Sequence, residues 1–271
     1  MGMWEVLRTQ GWLSFVAKTP RRVRRVVVRK INKLFNRKIV RSFYGVFLTE
    51  NSNDVTFRFC VDGAYGKFYS NYLQKIDCPF IFIDIGANQG LYFLIAAQNP
   101  YCERAISLEP VNETFGFLTA NIRANGLAGM IVALNCGLSS EKARVNIRLK
   151  PGHSGAASLH NTFAGTEAVE EIQISTAAVL EPYLVPGLPL VVKIDTEGHE
   201  HVVIAELARS RFADRVMSVF YEVDVAWADP ENLEAGLRAM GFDHFHPTRG
   251  GTHYDVMATR QAAGPAEGRA A

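Results

Sequence analysis

From Pro79 onward the chain repeats one pattern: a short apolar run, a turn, then a longer stretch whose apolar residues recur at helical spacing. This alternation constrains the fold more than any other feature, because parallel strands need crossover connections and the crossovers cover both faces of the sheet. Strands are expected near Phe80–Asp84, Ala105–Glu109, Met130–Asn135, Leu190–Asp195, Val216–Glu222, Asp243–His246 and Tyr254–Thr259. Helices are expected over Leu91–Gln98, Asn112–Asn125, Glu200–Leu207 and Pro230–Met240. The result is an α/β domain over residues 79–260, with a mostly parallel seven-stranded sheet and helices on both faces.

Residues 1–78 read as an extension of that domain. Between Lys18 and Arg41, Val23, Val26, Val27, Ile31, Leu34 and Phe35 recur at helical spacing while the arginines fall elsewhere around the wheel, which predicts a basic amphipathic helix. Such a helix packs on the domain or makes peripheral contact with an anionic membrane. Phe43–Leu48 and Val55–Val61 are aromatic and β-branched and flank a polar turn cluster, Glu50–Asp54, so they predict a hairpin. The Ala/Gly/Glu-rich segment 261–271 lacks periodicity and is expected to be disordered.

With 271 residues, 48% of them hydrophobic, one large domain is the expected architecture. A net charge of +2 does not by itself call for a polyanionic partner. No base-stacking aromatic-basic motif adjoins the glycine turn, so nucleic acid is not the expected acceptor. No apolar stretch reaches the roughly 18–20 residues of a bilayer span, and Cys60, Cys78, Cys102 and Cys136 have neither zinc nor disulfide spacing. A cytoplasmic protein is expected.

The strongest local signal is Phe80-Ile81-Phe82-Ile83-Asp84-Ile85-Gly86-Ala87-Asn88-Gln89-Gly90, a buried strand running through a glycine turn into a helix. In a doubly wound sheet, ligands sit beyond the carboxyl ends of the strands, and glycine lets the backbone approach closely. Glu109, at the end of the second strand, suits the two hydroxyls of a ribose. Asp84, directly before the turn, would repel a pyrophosphate and favour a cationic ligand such as S-adenosylmethionine, which bears a sulfonium and an ammonium. A nicotinamide-dependent oxidoreductase shares the glycine turn and Glu109 but not this charge preference. A noncatalytic membrane-docking adaptor, using the basic helix, is the second alternative.

The segments Asp84-Ile85-Gly86-Ala87-Asn88-Gln89-Gly90, Ser107-Leu108-Glu109-Pro110 and Lys193-Ile194-Asp195-Thr196-Glu197-Gly198-His199-Glu200 resemble the FkbM-type family of class I methyltransferases. The resemblance spans about Phe80 to Arg260. It implies a Rossmann-like fold, S-adenosylmethionine as methyl donor, and a hydroxyl acceptor on a sugar, glycan, glycolipid or natural product. It further implies that Asp84, Gly86, Ala87, Asn88 and Gly90 surround the methionine portion. Glu109 would lie at the ribose and Asn135 and Cys136 at the adenine, with Pro110 and Asp195 also among the cofactor-binding residues.

The segment Asp195-Thr196-Glu197-Gly198-His199-Glu200 concentrates titratable groups at a strand end. An alcohol acceptor needs its proton removed, so Asp195, Glu197 and His199 are candidate catalytic residues, joined by Glu222 at the end of the fifth strand. The acids Asp195, Glu222 and Asp224 also suit a divalent cation, although sugar hydroxyls are the preferred partners and no metal is assigned. Glu200 fits a helix N-terminus, satisfying backbone donors. Gly152–Leu159 is read as an irregular loop whose Ser154 and Ser158 either meet the ligand or belong to a linker.

Overall fold

The computed structural model describes residues 38–160 and 168–260. Nearly all of the expected amphipathic helix at 18–41, and all of the tail at 261–271, lie outside the described residues. The chain divides into two units, Met1–Val40 and Arg41–Ala271, and apart from Ile39 and Val40 everything that follows belongs to the second.

Its frame is a seven-stranded sheet built from β3 (Phe80–Ile85), β4 (Cys102–Leu108), β5 (Ile131–Leu134), β9 (Leu190–Ile194), β10 (Val216–Asp224), β11 (His244–Pro247) and β12 (His253–Thr259). The strand order is β11-β12-β10-β9-β3-β4-β5. Strands β5, β4, β3, β9 and β10 run parallel, whereas β12 is antiparallel to β10 and to β11. Every residue of β3 and of β9 is buried, as central strands covered on both faces must be. Each large aliphatic side chain so removed from water contributes about 1.5–3 kcal/mol. The expected α/β architecture and its seven strands are therefore present, with the sheet reversing direction of growth between β3 and β9.

Helices α3 (Leu91–Ala96), α4 (Asn112–Ala124), α5 (Glu200–Arg209) and α6 (Pro230–Ala239) connect the strands. Asp229 caps α6 by accepting from the Glu231 N–H at 3.1 Å, with Pro230 in the first turn. Between β5 and β9 a three-stranded sheet is inserted: β6 (Gly137–Leu138), β7 (Ala143–Leu149) and β8 (Ala168–Ser175), in the order β6-β8-β7. Its apolar side chains Ile147, Ile172 and Ile174 pack with Val111 in a small separate core. No strand is expected where β8 lies, beyond the loop at Gly152–Leu159; alternation of Ile172 and Ile174 with Glu171 and Gln173 is the available signal.

The expected hairpin is not made from the two expected segments. Strands β1 (Ile39–Arg41) and β2 (Phe47–Thr49) flank a turn in which the Ser42 N–H donates to the Val46 carbonyl at 2.8 Å. Val55–Asp62, expected as the second strand, is instead a helix, α1, followed by α2 (Phe68–Lys75). Capping overrode β propensity there. Asp54 accepts from the Phe57 N–H at 2.8 Å, Gly63 ends the helix at φ 72°, and Thr56, Phe57 and Cys60 share one buried face.

Asp54 also joins distant parts of the chain. Its carboxylate accepts from the Gln89 side chain at 2.9 Å and from the Ser154 N–H at 2.7 Å. Asn121, fully buried on α4, donates to the Gln89 carbonyl at 2.8 Å and accepts from the Thr49 N–H. Helix α1, the turn after β3 and the 3-10 turn at Ser154–Ala156 therefore share one buried polar network. Replacing Asp54 with Ala removes a cap and strands buried donors, and should lower stability by about 2–3 kcal/mol in urea denaturation. A loss under about 0.5 kcal/mol, the scale of an ordinary surface change, would show that this network does not hold the segments together.

Candidate functional site

The sheet's reversal leaves a crevice at the carboxyl ends of β3, β9 and their neighbours, where ligands bind in open α/β sheets. A cavity of about 440 Å³ lies there. The turn Gly86–Gln89, Glu109–Pro110, and the carboxylates of Asp195, Glu197 and Glu222 form its polar walls; Ile147, Ile172 and Ile174 of the inserted sheet, with Tyr65, Tyr92 and Phe220, supply apolar surface.

Gly86 adopts φ 78°, and a Cβ there would lie 1.8 Å from the Asp195 carbonyl oxygen. The glycine expected to admit a ligand therefore also admits the backbone of the neighbouring strand end, bringing β3 and β9 together at the crevice. Gly90, at φ 89°, precedes α3, and a Cβ there would meet the Phe93 ring at 2.2 Å. Asn88 holds the strained φ of 50° and its side chain accepts from the Gln89 N–H at 2.8 Å and from Ser154 Oγ at 3.0 Å. Ala87 lines the cavity, and its N–H donates to the Leu108 carbonyl at 2.9 Å.

Glu109 is buried, with one carboxylate oxygen accepting from the Asn88 N–H and the other from the Val111 N–H, each at 2.9 Å. Burial outweighs these bonds and pushes its pKa up to about 7. Each oxygen keeps a further lone pair for a ligand hydroxyl. Asn135 and Cys136 are not among the cavity-lining residues. The Asn135 amide donates to the Glu109 and Pro110 carbonyls at 3.0 and 3.1 Å, so it shapes the wall from behind, and Cys136 is buried in the main core.

Asp84 also stands behind the wall. It is 1% exposed, and its Oδ1 lies 3.7 Å from Lys193 Nζ without a hydrogen-bond partner. Register makes this contact: Asp84 on β3 is level with Lys193 on β9. Lys193 donates to Asp195 Oδ2 at 2.9 Å, and Asp195 and Asp84 together outweigh burial and raise its pKa. Burial pushes Asp84 up to about 6 despite the ammonium. The acidic wall seen from the cavity thus comes from Asp195, Glu197, Glu222 and Asp255, with Asp84 holding the lysine among them.

Glu222 and Asp255 are register partners on β10 and β12, one pair away from the level of Tyr221 and Ile194. That placement brings Glu222 to the end of β9, where oxygens of Asp195, Glu197 and Glu222 lie within 4.8 Å of one another and could hold a divalent cation. Burial and mutual repulsion raise both Glu197 and Glu222, so the pair retains a proton near neutrality. His253, not expected in the site, donates to Glu222 Oε1 at 2.6 Å when protonated, and that bond raises its own pKa. No sequence spacing announces it; the antiparallel register of β12 brings it there.

His199 lines the cavity but makes hydrogen bonds at both ring nitrogens, to Ser139 Oγ and His160 Nε2, each 3.0 Å. Burial, with His160 and His201 nearby, lowers its pKa to about 4, leaving a neutral and weakly basic ring. Glu200 acts as a local cap: it accepts from the Thr196 N–H at 2.8 Å and the Gly198 N–H at 3.0 Å. Ser158 donates to the Glu197 carbonyl at 2.7 Å, fixing the turn in which Glu197 adopts φ 53°.

Replacing Lys193 with Met leaves Asp84 buried without its ammonium and should cost about 3–5 kcal/mol of stability in urea titrations at alkaline pH. Asp84 is pushed up to about 6 with the ammonium beside it and higher without it, so the variant's carboxyl takes up its proton first and the deficit should shrink as pH falls towards about 6. A deficit independent of pH would show that the lysine's role is packing alone.

The sequence matches the methyltransferase FkbM domain over residues 84–244. No curated protein matches the chain. Among solved structures, the chain is similar to ribosomal protein L11 methylase from Lactobacillus delbrueckii subsp. bulgaricus, with 12% identity, 72% of this chain and 78% of that one covered, and a TM-score of 0.42. It is similar to Sp1610 of Streptococcus pneumoniae, a putative tRNA (m1A22) methyltransferase in complex with S-adenosyl-L-methionine, with 13% identity, 74% of each chain covered and a TM-score of 0.45. The METTL16 methyltransferase domain matches at 10% identity, with 87% of this chain and 91% of that one covered and a TM-score of 0.49. These are likenesses of chain path, and the family assignment rests on the sequence match, which takes in the glycine turn, Glu109 and the Asp195–Glu200 segment. The chain therefore belongs to the FkbM family of S-adenosylmethionine-dependent methyltransferases.

Proposed function

We propose that the protein transfers a methyl group from S-adenosylmethionine to a hydroxyl of a sugar, glycan, glycolipid or related natural product. The observation that carries this reading is the carboxylate wall of Asp195, Glu197, Glu222 and Asp255 facing the glycine turn and Glu109 across one cavity. Three features fit the donor. The wall suits its sulfonium and ammonium, Glu109 has lone pairs for its ribose, and Gln89 Oε1, a buried acceptor on a cavity-lining residue, has no hydrogen-bond partner of its own.

When bound, the donor would supply an electrophilic methyl carbon to the acceptor oxygen, with S-adenosylhomocysteine as the leaving group. Glu222 is the favoured base, taking the hydroxyl proton while His253 steadies its carboxylate. Glu197, held neutral by its neighbours, donates a hydrogen bond that orients the acceptor, and Asp195 remains paired with Lys193. His199 contributes cavity wall more than base strength, given its lowered pKa. The apolar side formed by Ile147, Ile172 and Ile174 limits access of competing water.

The convergence of Asp195, Glu197 and Glu222 supports a second reading, in which magnesium binds these oxygens and lowers the acceptor's pKa directly. A radiolabelled methyl-transfer screen over sugars, glycolipids and polyketides, with and without EDTA, tests both. Product methylated on oxygen and insensitive to EDTA is expected; EDTA inactivation reversed by magnesium would favour the metal reading, and no transfer to any hydroxyl would sink the acceptor class.

The rate should rise with pH through the neutral range as Glu222, pushed up to about 7, ionises while Glu197 keeps its proton. Glu222→Gln should flatten that limb and lower kcat by about 10²–10⁴-fold, the usual range for a general base. A variant that keeps both the limb and the wild-type rate would remove Glu222 from the mechanism.

A further inference from the structure

His160, His199 and His201 gather beside the cavity wall that His199 forms. Ring centroids are 5.2 Å apart for His160 and His199, 6.3 Å for His160 and His201, and 6.1 Å for His199 and His201. His160 Nε2 lies 3.0 Å from His199 Nδ1. A tetrahedral ion with metal–nitrogen bonds of about 2.0–2.1 Å holds its ligand nitrogens roughly 3.3 Å apart, so the pair must open by a few tenths of an ångström and both rings must turn until their lone pairs meet at the ion instead of facing each other.

The far side of His199 matches the same chemistry. A ligating imidazole commonly donates its second N–H to a fixed oxygen, which sets both tautomer and ring orientation. His199 Nε2 faces Ser139 Oγ at 3.0 Å; Ser139 is buried and anchored by its own N–H to the Ser175 carbonyl at 2.8 Å. With Nε2 carrying the proton towards Ser139, Nδ1 presents its lone pair towards His160. His201, exposed on the first turn of α5, does not converge with the other two in this structure and has to turn its side chain towards them to complete the set.

We propose that His160, His199 and His201 form a transition-metal site at the edge of the cavity, binding zinc, cobalt or nickel through imidazole nitrogens with a fourth position open. Imidazole selects these ions over magnesium, which would take the all-oxygen group of Asp195, Glu197 and Glu222 instead. The site is separate from the proposed methyl-transfer chemistry and does not rest on it. Its structural effect is to tie His160, which leads out of the inserted sheet, to the start of α5.

Untagged full-length protein, stripped with chelator, should take up one equivalent of Zn²⁺ in equilibrium dialysis and give a visible d–d band with Co²⁺. His160→Ala and His201→Ala should each weaken Zn²⁺ binding by at least about tenfold with the far-ultraviolet circular dichroism unchanged. Glu222→Gln should leave Zn²⁺ affinity as in the parent. Absence of binding, or affinity that survives either histidine substitution, would overturn the proposal; loss of binding in Glu222→Gln alone would assign the ion to the carboxylates and overturn it equally.

Discussion

The site is organised around the ammonium of Lys193, buried at the carboxyl end of a fully buried central strand between Asp84 and Asp195. An unpaired charge there would cost several kcal/mol, so the lysine and its carboxylates must fold together or not at all. Their mutual requirement couples β3 to β9, the two strands between which the sheet reverses. The same crevice is narrowed by Gly86, whose missing side chain lets the Asp195 carbonyl come close. Charge pairing and backbone contact thus act on one strand pair, and the cavity opens beside it.

Burial gives the other acids their character. Glu109, Asp255, Glu197 and Glu222 all sit above the ordinary carboxylate range because each loses water without gaining a full countercharge. Such a group of acids is unfavourable for the empty fold, and a cationic ligand relieves it. The stability cost of the site and its preference for positive charge have the same origin.

Much of the frame was legible beforehand. All seven strands of the large sheet fall where apolar runs between turn signals place them, and the Asp84–Gly90 turn opens a helix as its glycines suggest. Glu200 caps α5 as its position implies. The misreading at Val55–Val61 is informative: its β-branched and aromatic composition is real, but Asp54 and Gly63 cap it at both ends and its buried face has helical spacing. The inserted sheet is less legible because its strands lack the continuous apolar runs of the central strands and carry only a polar–apolar alternation on either side of a segment rich in small polar residues.

Local chemistry in the chain determined which residues form the seven strands of the large sheet, where turns with positive φ require glycine, and that Glu109 and the Asp195–Glu200 segment stand at strand ends. Those properties depend on neighbours a few positions away. Tertiary structure alone decided that Asp84 faces Lys193 instead of the cavity, that His253 joins Glu222, and that His160 meets His199. Strand order and register join residues tens to more than a hundred positions apart, and a shift of one residue would turn every such side chain to the opposite face.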